Sequence, residues 1–215
     1  MLIFQPERTL LRKQIATYSH YITGRVLDVG GGELLRYKNL FSYDRYTCMD
    51  VYKGAGVDVI GSADNIPFED KAFDSIVCTQ VFEHLAFPEK SAQEISRVLR
   101  KGGHLLITVP QWNELHSEPH DYWRYTRFGI SALFERNGFE TIEYEQRGGF
   151  YTNLAQMRTR FMIDKYDLYH KPFIGRCMSK LFKLYGSIAI WRDTHDQSIA
   201  NRKHTIGWCF VFRKL

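Results

Sequence analysis

Val26-Leu27-Asp28-Val29-Gly30-Gly31-Gly32, continuing into Glu33-Leu34-Leu35, decides how this chain is read. A short apolar run that ends in three glycines and passes into helix-compatible residues predicts a buried strand turning sharply into a helix. Glycines at such a turn let the backbone take positive φ and approach a bound molecule, and the helix start offers unpaired N–H groups. The turn therefore reads as a ligand site. Tyr46 to Asp50 predicts the next strand, and Asp50 ends it 20 residues after Gly30. A carboxylate there accepts from both hydroxyls of a ribose held over the glycines, as in doubly wound nucleotide sites. The spacing does not choose the cofactor. Leu35 stands where a dinucleotide fingerprint has its third glycine, which counts against a nicotinamide, and no P-loop glycine-lysine sequence is present.

The 215 residues are 44% hydrophobic, enough for one substantial domain with a sizeable core. No stretch has the pattern of a secretory leader, and no apolar run reaches the roughly 20 residues of a spanning helix, so the cytoplasm is the expected location. Cys48, Cys78, Cys177 and Cys209 form no CxxC pair and read as small core residues. The net charge of +5 hides an asymmetry. Residues 1–150 hold 17 Lys and Arg against 20 Asp and Glu, a net −3, while residues 151–215 hold 12 against 4, a net +8. Such a basic segment suits an acidic partner: a membrane surface, a phosphate-bearing substrate or nucleic acid. A solvated basic face is the plainer alternative.

Upstream of the glycine turn, Pro6 to Tyr21 predicts a helix with Leu11, Ile15, Tyr18 and Ile22 on one stripe, lying over the first part of the sheet. Arg25 to Val29 is the first strand, Glu33 to Phe41 a short helix, Val57 to Ile60 the third strand and Ala72 to Thr79 the fourth. Between the last two, Asp64 can receive the exocyclic amine of an adenine, with Ile66 and Phe68 packing nearby. Pro88 opens a helix in which Ala92, Ile95 and Leu99 share a face and Gly102 or Gly103 makes the stop. His104 to Val109 is the fifth strand, Thr126 to Asn137 a helix stopped by Gly138, Glu140 to Gln146 the sixth strand and Thr205 to Phe212 the last.

The ordered pieces VLDVGGG at Val26, the acidic strand end at Asp50, SADNIPF at Ser62, FDSIVCTQVFEHL at Phe73 and LRKGGHLLITVP at Leu99 resemble the class I S-adenosylmethionine-dependent methyltransferases of the group called methyltransferase type 11. The likeness covers about residues 25–110. It implies an α/β fold, a Rossmann-like doubly wound sheet of about seven strands whose last strand runs antiparallel, here with a helical insertion before it. It also implies S-adenosyl-L-methionine as the cofactor. Carried over position by position, Asp28, Gly30 and Gly32 would face its methionine part, Asp50 its ribose with Val51 beside the adenine, and Asp64 and Asn65 the adenine amine, while Thr79 and Gln80, at the end of the fourth strand, would also face the cofactor. Gly31 departs from many members, with little consequence. The resulting layout is a single domain with an N-terminal helix (1–24), a cofactor-binding core (25–148), a basic helical insertion (149–204) and a final strand (205–215).

Beyond the fifth strand, residues 111–126 concentrate two histidines, several acids, an arginine and four aromatics, where ligands bind in open α/β sheets. Its HDYWRYT segment resembles one in bacterial members associated with cell-envelope glycan synthesis. A lid packing on the core is the alternative for Tyr122, Trp123 and Tyr125. Methyl transfer from a sulfonium needs alignment and water exclusion above all, and a hydroxyl acceptor gains from a base in histidine's pKa range. His120 is the expected base, His116 the second choice, with Asp121 or Glu83 orienting or polarising. Glu83 and His84 also suit a structural role at a helix start. A metal on His116, His120 and Asp121 fits by residue type, but the loop context favours no metal.

The insertion predicts helices at Leu154 to Tyr166 and Phe173 to Trp191, the latter combining apolar residues with Arg176, Lys180 and Lys183. This suits a helix at an anionic membrane surface, a lid or a dimer face. The leading function is O-methylation of a small molecule, sugar or lipid-linked glycan. A cofactor-binding regulator without turnover is the alternative from another class. RNA methylation is a third reading, disfavoured because Thr79-Gln80-Val81-Phe82 lacks the Asn/Asp-Pro-Pro-aromatic motif that the resemblance links to base amines.

Overall fold

Short apolar runs, buried along most of their length in β1, β2, β4 and β7, form the middle of the central sheet of the computed structural model, which describes residues 3–32 and 34–215. Strands β1 (Arg25–Val29), β2 (Arg45–Asp50), β3 (Val59–Ile60) and β4 (Phe73–Thr79) are followed by β5 (Leu99–Pro110), β6 (Phe139–Arg147) and β7 (Gly207–Lys214). Their spatial order is β3-β2-β1-β4-β5-β7-β6. The pairs β1/β2, β1/β4, β2/β3 and β4/β5 are parallel. Strand β7 is antiparallel to its neighbours: the Ile206 N–H donates to the Arg147 carbonyl and, at the other end, the Leu215 N–H to the Gly138 carbonyl. The order reverses between β1 and β4, so a crevice opens beyond their carboxyl ends, the usual ligand position in open α/β sheets.

The helices are α1 (Pro6–Tyr18), α2 (Pro88–Val98), α3 (Arg127–Glu135), α4 (Phe150–Lys165), α5 (Pro172–His195) and α6 (Ile199–Arg202), the last not foreseen. Local chemistry sets several ends. Pro88 begins α2, and the Thr126 hydroxyl accepts from the Gly129 N–H at 3.1 Å to cap α3. Gly138, at φ 83°, stops the chain after α3.

Four expectations change. No α-helix follows the glycine turn: residues 34–37 are turns and Lys38–Leu40 a single 3-10 turn, while Glu33 lies outside the described residues. Gly32 and Leu35 both take left-handed φ, 65° and 44°, which interrupts right-handed helix growth. The N-terminal helix packs toward the opposite sheet edge from the one expected. Gln14 donates to the Glu145 carbonyl on β6, and the Tyr18 hydroxyl is pushed up to about 12 by burial and by Glu145. Helix α2 ends at Val98 rather than at a glycine, because Leu99 already pairs with Phe73 ahead of an irregularity that absorbs Gly102 at φ 73°. Finally, three cysteines are buried but Cys177 is exposed on α5.

By their contacts, the residues up to Lys13 with 111–114 and 146–207 form one compact unit, and 14–110, 115–145 and 208–215 form another. The second holds the main core, in which Leu27, Ile76, Ile107, Phe134, Phe210 and Phe212 are buried together. The first has a small core of Ile3, Ile163, Leu168 and Phe182, and in it the fully buried Arg147 pairs with Glu7 at 3.0 Å. Among the described residues no helix is long and apolar enough to cross a membrane.

Candidate functional site

At the end of β1, Gly30 and Gly32 take φ of 71° and 65°, and the Gly30 N–H donates to the Met49 carbonyl at 2.8 Å. Side chains are excluded here for steric reasons as well. A Cβ on Gly30 would fall 2.4 Å from Val81 Cγ2, and one on Gly31 would fall 2.3 Å from Asp28 Oδ2. Asp28 lies beneath the turn, buried, with Oδ2 accepting the Tyr46 hydroxyl at 2.5 Å and Oδ1 without a hydrogen-bond partner among the described residues. Burial pushes its carboxyl up to about 6, the Tyr46 hydrogen bond opposing and the Asp50 charge adding. The Tyr46 hydroxyl is itself pushed well up by burial and by Asp28.

Asp50 holds the turn from its other side. Its Oδ2 accepts from the Gly32 N–H at 3.1 Å and its Oδ1 from the Tyr52 N–H at 3.0 Å. Each carboxylate oxygen keeps a second acceptor site for a ligand hydroxyl. Asp64 Oδ1 accepts the Ser62 hydroxyl at 2.5 Å, and Lys90 Nζ lies 3.9 Å from Oδ2. These groups open on a cavity of about 570 Å³, with Gly30, Asp50, Val51 and Asp64 toward β1–β3 and Gln80, His84, His120 and Tyr122 among the residues beyond β4. Gln80 sits at φ 55°, held by its N–H to the Thr108 carbonyl and its amide to Thr108 Oγ1, a strained backbone at the cavity wall.

Of the expected cofactor residues, the cavity is lined by Gly30, Asp50, Val51, Asp64 and Gln80. Asp28 supports the turn from below, Thr79 pairs with Thr108 in the sheet, Asn65 is exposed, and none of the three is part of the lining. Gly32 is also outside the lining, with open space where a Cβ would stand.

The loop after β5 is fastened to the turn after β4 through main-chain groups. The Tyr122 and Trp123 N–H groups both donate to the Glu83 carbonyl, at 2.8 and 3.1 Å, and the Trp123 indole N–H donates to the Leu85 carbonyl at 2.8 Å. This docking carries His120 to the cavity, exposed, with Nδ1 3.2 Å from the Tyr122 hydroxyl. Asp121 plays a different part from the one expected. Its carboxylate takes two bonds from Arg124 at 2.7 and 2.8 Å and the His116 N–H at 2.9 Å, with His116 Nδ1 at 3.4 Å, so it orients His116 rather than His120. The Arg124 guanidinium holds the Asp121 carboxyl down to about 2. Glu83 is fully buried beneath the loop and does not line the cavity, so it cannot polarise an acceptor in it.

His84 gains what Glu83 loses. It lines the cavity, its Nδ1 is 2.6 Å from the His120 carbonyl, and its ring stands edge-on to His116 at 4.8 Å. That short contact to a carbonyl requires Nδ1–H and leaves Nε2 as the basic nitrogen. Burial holds its pKa below the ordinary histidine range. Its sequence signal was its place just beyond a strand end, next to Glu83. A separate cavity of about 480 Å³ lies within the first unit between Trp112, Met157 and Phe161, where Arg160 is closed onto Glu114 at 2.5 Å.

A parallel sheet with this strand order, an antiparallel β7 and a glycine turn at the order reversal defines the class I S-adenosylmethionine-dependent methyltransferase fold. Residues 27–107 match the family described as a methyltransferase domain. An uncharacterized protein of Methanocaldococcus jannaschii is 28% identical over 128 residues, covering 59% of this chain and 56% of its own. The demethylmenaquinone methyltransferase of Paenarthrobacter aurescens is 33% identical over 66 residues, 28% of this chain and 26% of its own. The matches thus span between a quarter and little more than half of those relatives. Among solved structures, phosphoethanolamine N-methyltransferase 2 of Haemonchus contortus superposes with a TM-score of 0.60 at 20% identity, covering 96% of this chain and 52% of that one.

Proposed function

We propose that the protein transfers a methyl group from S-adenosyl-L-methionine to a hydroxyl of a small molecule, sugar or lipid-linked glycan. The observation that carries this reading is a single cavity with the glycine turn, Asp50 and Asp64 on one side and His84, His120 and Tyr122 on the other. The Haemonchus enzyme of the same fold was solved with S-adenosyl-L-methionine. The residues fit such a cofactor: Asp50 keeps acceptor sites for ribose hydroxyls, Asp64 can take an adenine amine, and the glycines leave the backbone bare. When bound, the cofactor supplies an electrophilic methyl on a sulfonium. The chain's share is to align the acceptor, exclude water and take its proton, for which His120 is placed at the cavity wall. A cell extract fractionated into lipid and aqueous parts, incubated with methyl-labelled cofactor, tests the reading. Labelling of an acceptor hydroxyl, lost at least 100-fold in His120→Ala while S-adenosylhomocysteine still binds, supports it. Binding without labelling of any fraction supports a regulator without turnover instead.

We further propose that α5 rests on an anionic membrane surface. Phe173, Cys177, Leu181, Leu184, Ile188 and Trp191 follow helical spacing and are all exposed, Phe173 by 80% and Leu184 by 62%, while Phe182, Gly186 and Ala189 face inward. Arg176, Lys180 and Lys183 run along one flank of that stripe, as anionic lipid favours. Sedimentation with phosphatidylglycerol vesicles tests it: binding should be lost in Leu184→Glu/Ile188→Glu. If the protein stays in the supernatant and runs as a dimer that the same changes dissociate, the stripe is a contact between copies.

A further inference from the structure

The geometry points to a divalent transition-metal site made by Glu83, His84 and His116, fitted to a borderline ion such as Zn²⁺. One ligand atom from each of the three lies within 4.8 Å of the other two, and Glu83 Oε1 is 3.9 Å from His84 Nε2. Ligand atoms bound at about 2.1 Å stand roughly 3 to 4 Å apart, so side-chain rotations that move them by about an ångström close the set. Two imidazoles and one carboxylate are the donors of catalytic zinc sites and of facial iron sites, which keep positions open for a further ligand.

The surroundings are those of a metal site as well. A ligating histidine almost always gives its other ring nitrogen to a carbonyl or carboxylate, which fixes the ring and its tautomer. His84 does so with the His120 carbonyl at 2.6 Å, and His116 Nδ1 faces Asp121 Oδ2 at 3.4 Å. Asp121 is in turn clamped by both Arg124 nitrogens, and the Glu83 backbone is held by two loop N–H groups. Glu83 is fully buried, where a cation offsets the cost of keeping a carboxylate from water. The site differs from the triad of His116, His120 and Asp121 that residue types alone suggest, because Asp121 is spent on Arg124 and His120 turns to Tyr122.

His84 also lines the proposed cofactor cavity. An ion on it would give an oxygen-bearing acceptor a Lewis-acidic anchor, a role that rests on the methyl-transfer reading; the binding itself does not.

The test uses the full chain, stripped with a chelator and dialysed against Zn²⁺, with Co²⁺ as a spectroscopic probe and no methyl donor present. We expect one equivalent of Zn²⁺ per chain and visible Co²⁺ bands of low symmetry. His84→Ala and His116→Ala should each weaken binding 10- to 100-fold and abolish the bands, whereas His120→Ala should keep them. Glu83→Gln is informative if circular dichroism shows it folded, and should then behave like the histidine variants. Sub-stoichiometric binding, or binding unaltered by both histidine changes, overturns the site. Stoichiometric binding with no labelled acceptor leaves the site standing and counts against methyl transfer alone.

Discussion

Gly30 and Asp28 show how much one turn asks of single residues. Gly30→Ala forces a Cβ to within 2.4 Å of Val81 while holding a positive φ, and both effects push the turn off its position. We expect S-adenosylhomocysteine affinity to fall at least tenfold, read by calorimetry, with a stability cost of about 1 to 3 kcal/mol. Asp28 carries a pH signature. Its folded value, about 6, lies above the ordinary carboxylate value of 3.8, so between the two the folded chain holds a proton that the unfolded chain has lost. The resulting stability is fully present below about pH 4 and is lost as pH rises through 6, a change of roughly 3 kcal/mol. Urea unfolding at pH 4, 5.5 and 7 should show the wild-type advantage over Asp28→Asn shrinking by that order as pH rises. A constant difference would show that Asp28 titrates normally. Gly30 was legible in sequence because three consecutive glycines are a local signal, whereas Asp28 entered only through the family resemblance, as a residue facing the cofactor, and the structure sets it beneath the turn instead. Tyr46, which holds Asp28, was not legible, because its role depends on the β1/β2 register.

Among elements, α4 is capped from another helix. Its first turn donates three N–H groups, from Gly149, Tyr151 and Thr152, to the carboxylate of Asp193 at 2.7, 3.1 and 3.0 Å, and the Phe150 N–H donates to Asn201. A carboxylate at a helix N-terminus satisfies donors that the helix leaves open and opposes its dipole. Asp193→Ala should therefore cost about 2 to 3 kcal/mol in urea unfolding, and Asp193→Asn clearly less. Equal losses in both would mean that the charge is irrelevant. The buried Arg147–Glu7 pair allows a second check. Glu7→Gln should cost about 3 to 5 kcal/mol, and adding Arg147→Met should recover most of it. Helices α4 and α5 were predictable from apolar spacing. Their caps were not, since no local pattern links Gly149 to a residue 44 positions away.

Across the whole molecule, charge and motif are distributed differently. The ordered motifs of residues 25–110 made the sheet and its glycine turn readable, because each is short and their order is fixed by topology. The region beyond β4 was readable only as a list of residue types. Which histidine meets the cavity, and that Asp121 serves His116, follow from docking between Glu83 and a loop some 40 residues later. The excess of +8 over residues 151–215 sets a molecular-scale expectation. Vesicle binding should weaken steeply between about 0.05 and 0.5 M salt, as the Debye length shrinks. Binding insensitive to salt would assign the attachment to the apolar stripe alone.

The attachment of that loop has a further consequence. Tyr122 and Trp123 hold the Glu83 carbonyl through their own backbone N–H groups, and any residue except proline supplies the same donors. Side chains along the loop other than Trp123, Asp121, Arg124 and Tyr125, whose own side chains also bond within it or to the turn, can thus be exchanged without undoing these two bonds. On the proposed methyl-transfer reading, a lineage carrying this chain can try new acceptors by point changes there while the glycine turn stays as it is. Diversification of the reaction's target is thereby uncoupled from inheritance of its donor.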